Sequence, residues 1–96
     1  RSAAAPEVPT AAEAGVPGFE TSTWHALLAP ARTPPAIIAR LNAEVVRILA
    51  EPAMVDRLSV EGTEPRSSTP AALAQFMRAE FERWRTVIRH SGIKAE

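Results

Sequence analysis

His25 and His90 are the only histidines in the 96-residue sequence, and they are its best candidates for proton transfer or metal ligation. Neither stands at metal-ligand spacing from a carboxylate or from the other histidine, so the metal-site reading lacks a donor set. With no cysteine, the chain has no disulfide framework, no thiolate zinc site and no cysteine nucleophile. Thr10, Thr33 and Thr69 precede apolar runs where helix capping explains them, and Ser67 and Ser68 fall in a loop without a nearby base. Glu80 and Glu82 sit two apart on a helix, so they face different sides and cannot act together on one bond. The four glycines never cluster into a phosphate-cradling loop. The inventory points away from an enzyme and implies no cofactor.

His90 has a structural role in this reading, because a partial positive charge in the last turn of a helix complements the dipole. His25, beside Trp24 on an expected strand, is left with two readings: it faces a ligand cleft, or it is an ordinary half-buried histidine.

The elements that must position these residues are separated by prolines. Residues 1–9 form a Pro/Ala-rich lead-in, and Thr10-Ala11-Ala12-Glu13 matches a capping box that Gly15 stops after about one turn. Glu20 to Leu28, rich in Thr, Trp and Leu, favours a strand, with Ala26–Ala29 apolar on both faces as in a buried sheet. A helix follows, with Thr33 as N-cap and Pro34 as its first residue. Its apolar stripe is Ile37, Ile38, Leu41, Val45, Ile48 and Leu49, opposite the mixed charges Arg40, Glu44, Arg47 and Glu51. A short helix is expected over Ala53–Val60, ended by Gly62, and then a loop or short strand over Thr63–Ser68. The last helix is capped by Thr69, starts at Pro70 and runs to about His90, with Gly92 beyond it. Leu73, Phe76, Met77, Phe81, Trp84, Val87 and Ile88 form its apolar face, read as core.

Composition sets bounds on all of this. Eleven Lys/Arg balance eleven Asp/Glu, so the net charge is zero and no field draws the chain to nucleic acid or an anionic membrane. Arg83, Arg85 and Arg89 around Trp84 are interrupted by Glu80 and Glu82, which makes them a solvated face. Nineteen of the 44 apolar residues are alanine, leaving 25 with real volume, enough for a thin core only. No apolar stretch reaches the roughly 18–20 residues of a membrane span. The chain begins with Arg1, which is expected of a processed or internal piece of something longer. Both long helices are one-sided, yet only one strand is available to cover them. The expected class is therefore mainly α with one or two short strands, cut from a larger α/β fold or completed by oligomerisation.

The order of signals carries a resemblance. Pro9-Thr10-Ala11-Ala12-Glu13-Ala14-Gly15-Val16-Pro17-Gly18-Phe19-Glu20, then Trp24 and Leu27-Leu28-Ala29-Pro30-Ala31, resemble the C-terminal third of a transport family. That family is the extracytoplasmic substrate-binding proteins of tripartite tricarboxylate transporters, the Bug-type receptors. The likeness continues through Thr33-Pro34-Pro35, Leu41-Asn42-Ala43-Glu44, Gly62-Thr63-Glu64-Pro65, Thr69-Pro70 and Trp84 to Ser91-Gly92-Ile93-Lys94. It departs at Arg32 and Ala26, where glycine is common, and at His25, where an aromatic is frequent.

The resemblance implies the C-terminal fragment of a two-lobed, type II-like periplasmic binding protein that closes on a small organic acid. It assigns residues 1–29 to the end of lobe 2 with a crossing strand, and residues 30–96 to the helical layer of lobe 1. It brings only Trp24 and His25 near the cleft, since the family grips its ligand mainly with loops from earlier in the chain. Membrane permease subunits are its implied partners and the periplasm its implied location. Self-association through the apolar helix faces, as a homodimer or larger, is expected of the 96 residues alone. A helical dimerisation module is the rival reading.

Overall fold

The computed structural model describes residues 1–94; the last two residues of the expected helical layer, 95 and 96, lie outside them. Three helices follow an irregular N-terminal third: α1 (Pro35–Leu49), α2 (Pro52–Val60) and α3 (Pro70–Ser91). Each opens on a proline, whose fixed φ suits the first turn and whose missing N–H needs no partner there. α1 starts one residue later than the sequence suggests. Pro34 precedes Pro35, and a residue before proline is driven out of the helical region, so Pro34 takes ψ 141° and becomes the N-cap in place of Thr33.

α2 ends as a Schellman motif. Gly62 adopts φ 72°, the Thr63 N–H donates to the Leu58 carbonyl at 2.9 Å, and the Gly62 N–H donates to that of Ser59 at 3.0 Å. At the start of α3 the Thr69 hydroxyl accepts from the Ala72 N–H at 3.1 Å, as expected of an N-cap. Gly92, at φ 67°, ends the helix in the left-handed region. The Thr10 turn forms half of its capping box. Thr10 Oγ1 accepts from the Glu13 N–H at 3.2 Å, but the Glu13 carboxylate turns instead to Arg1, whose Nε donates to it at 2.8 Å. No α-helix develops there, and Gly15 at φ 101° closes the turn.

The strand expected over Glu20–Leu28 does not form: there is no strand among the described residues. Residues 20–29 make no main-chain hydrogen bond to main chain, because a strand requires a neighbour and these 94 residues provide none. The Thr63–Ser68 segment is likewise a loop.

The helices are held by few ties. α1 touches α2, and Asn42 Nδ2 on α1 donates to the Ser68 carbonyl just ahead of α3 at 2.8 Å. No described residue is buried. The apolar face of α3 is therefore not core: Phe76 and Trp84 are each 42% exposed, and Phe81 is 67% exposed. Phe81, four residues beyond Met77 and three before Trp84, lies at the edge of the stripe and is its most exposed member.

Candidate functional site

An open groove of about 370 Å³ lies between α1, α3 and the segment His25–Ala29. Leu41, Val45 and Leu49 of α1 face Leu73 and Met77 of α3 across it, and Leu27 and Leu28 form a third wall. A spacing of four residues on both helices places these side chains on one face each, and the Asn42–Ser68 tie links the two helices.

The groove's polar groups do not converge on a ligand. Asn42 spends its amide N–H on Ser68. Arg66 lies near Glu64 at 3.7 Å with its side chain 86% exposed. His25 contributes to the wall. Trp24 does not: its ring packs edge-on against Phe76 of α3, with centroids 5.1 Å apart and planes at 75°. The two candidate ligand residues are neighbours in sequence but do not share a pocket. The described residues contain no His/Asp/Glu group able to hold a metal ion. No helix among them is long and apolar enough to cross a membrane. The groove is lined mainly by apolar side chains and has no built grip for a carboxylate.

The second organised feature went unread in the sequence. Glu80 lies on the apolar face of α3, one turn from both Phe76 and Trp84. Its carboxylate accepts from Trp84 Nε1 at 3.0 Å and pairs with Arg83 at 3.3 Å. The same Arg83 guanidinium donates to the Glu20 carbonyl and stacks 5.6 Å from the Trp84 ring centroid. The signal is present in the sequence: at helical spacing, 73, 76, 77, 80, 81, 84, 87 and 88 are one stripe, and Glu80 is its one charge. Arg85 pairs with Glu82 at 3.4 Å, and His90 stands in the last turn of α3, the second as expected. On α1, Arg47 bridges Glu44 at 3.0 Å and Glu51 at 2.8 Å, which raises its pKa, chiefly through Glu44.

Comparison with known proteins defines the class. The family model described as the tripartite tricarboxylate transporter family receptor matches residues 1–93, and the chain belongs to that family. Protein BugT of Bordetella pertussis is 39% identical over 94 residues, covering 98% of this chain and 29% of that protein. The UPF0065 protein in the tcbD-tcbE intergenic region of a Pseudomonas species is 44% identical over 84 residues, covering 86% of this chain and 25% of that protein. A UPF0065 protein in the TAR-I ttuE-ttuC' intergenic region of Agrobacterium vitis is 42% identical over 90 residues, covering 91% of this chain and 26% of that protein. The chain thus spans about a quarter of the length of these relatives. No solved structure matches it.

Proposed function

We propose that these residues are the C-terminal portion of a periplasmic solute receptor that binds small organic di- or tricarboxylates and delivers them to the membrane permease subunits of a tripartite transporter. The observation that carries this reading is the family match over residues 1–93, in a chain only about a quarter as long as its relatives. Residues 1–29 end the second lobe and cross back, and residues 30–96 form the helical layer of the first. The two lobes close on the ligand. Residues beyond this segment complete both the sheet under α1 and α3 and the ligand grip, to which Trp24 and His25 contribute from the crossing segment. The exposed apolar faces support this, as does the strand-like segment without main-chain partners. Self-association belongs to the segment when it lacks that cover.

Calorimetry tests the reading. The receptor containing this segment is expected to bind a member of a di- and tricarboxylate panel, and the 96-residue chain to bind none. Micromolar binding by the 96 residues alone, or no binding by the receptor across the panel, overturns it.

A further inference from the structure

A carboxylate in the middle of a helix's apolar stripe is costly unless it is paired, and Glu80 occupies that position with its side chain 16% exposed. Both of its oxygens are engaged, one by the Trp84 indole N–H and one by Arg83. Arg83 reaches in turn to the main-chain carbonyl of Glu20, 63 residues earlier. One turn N-terminal of Glu80, Phe76 meets Trp24 in a T-shaped contact. Positions 76, 80, 83 and 84 thus hold residues 20–24 by a polar contact at one end and an aromatic contact at the other. Those residues make no main-chain hydrogen bonds of their own, so their course depends on these side chains.

We propose that Glu80 and Arg83 are positioning residues: a clasp on α3 that fixes the segment bearing Trp24 and His25, and through it the receptor's affinity for its carboxylate. The proposal rests on the receptor reading above. Arg83 holds Glu20 directly, whereas Glu80 orients Arg83 and Trp84 and touches no ligand. Arg85, on the outer face of α3 with Glu82, serves as a matched control.

The test uses the whole receptor with two readouts. Hydrogen exchange of the amides of residues 20–25, which the receptor's sheet is expected to pair, reads how firmly the clasp holds them in the ligand-free protein. Arg83→Met is expected to speed that exchange about tenfold, the factor that corresponds to one lost contact of ordinary strength. Arg83→Lys, which retains a donor for the Glu20 carbonyl, is expected to restore most of the protection, and Arg85→Met to change nothing. Carboxylate binding by calorimetry is expected to follow the same order. Glu80→Gln keeps the shape but loses the charge, and should fall between Arg83→Met and the unaltered protein in both readouts. Unchanged exchange in Arg83→Met and Glu80→Gln overturns the clasp. Faster exchange with unchanged affinity overturns its positioning role. A receptor that binds no carboxylate before any substitution overturns the receptor reading, and the exchange data still decide the clasp.

Discussion

Glu13 shows how a single exposed residue responds to its surroundings. The Arg1 guanidinium holds its carboxyl below the usual glutamate value of 4.5, with a smaller contribution from the Thr10 hydroxyl. A depressed folded-state pKa adds stability above the unfolded value, and that contribution is lost as pH falls through the folded pKa. The Arg1–Glu13 contact should therefore persist at pH 5 and release only below 4.5. An NMR titration of the Glu13 carboxyl is expected to give a midpoint under 4.5, moving back toward it in Arg1→Ala. A midpoint unmoved by that substitution would show that Arg1 is not the cause. The same carboxylate explains why the Thr10 turn stays a turn. With Glu13 drawn toward Arg1, only one arm of the capping box forms, and Gly15 ends the run before a second turn begins.

At the scale of the element, α3 depends on its ends. Thr69 satisfies one of the orphan N–H groups of the first turn, and Gly92 supplies the left-handed residue that closes the last. Thr69→Ala in the receptor is expected to cost about 1 kcal/mol in a urea titration, the typical value for a lost N-cap. Thr69→Asp should retain most of the stability, because its carboxylate can accept the same Ala72 N–H. A loss as large in Thr69→Asp as in Thr69→Ala would remove the capping explanation. All three helices were legible in the sequence, because their signals are local: proline at the start, glycine beyond the end of α2 and α3, and apolar residues at helical spacing between. α1 begins at Pro35 and not at Pro34 because Pro35 drives Pro34 out of the helical region, and α2 takes Pro52 as its first residue, one before Ala53. The strand was legible in composition and absent in fact, since pairing is a property of two segments and the second is not among these residues. The Glu80–Arg83 clasp was harder to see. A charge within an apolar stripe is visible in the sequence, but its link to Glu20 spans 63 residues and has no local signature.

The whole molecule has too much surface for its size. Its accessible area is 8491 Å², against about 5,400 Å² for a compact monomer of this mass. Its radius of gyration is 16.8 Å, against about 12–13 Å for a compact chain of this length. Much of the excess is apolar and borders the groove: Leu27 is 72% exposed, Leu28 64% and Leu41 45%. Contiguous apolar surface of this kind marks an interface. If the rest of the receptor covers the groove, a residue on its floor should behave as surface in one context and as core in the other. Leu41→Ala in the 96-residue chain, at a dilution where it is monomeric, is expected to change stability by less than about 0.5 kcal/mol, as surface substitutions do. The same substitution in the receptor is expected to cost about 2–5 kcal/mol, the range for truncating a packed leucine. Urea titrations of both proteins with and without the substitution make the comparison, with Val60→Ala as a control, since Val60 at 88% exposure stands clear of the groove. A cost in the receptor no larger than that of the control would mean that the groove stays open in the full protein. The apolar faces of α1 and α3 would then have to be met by another partner.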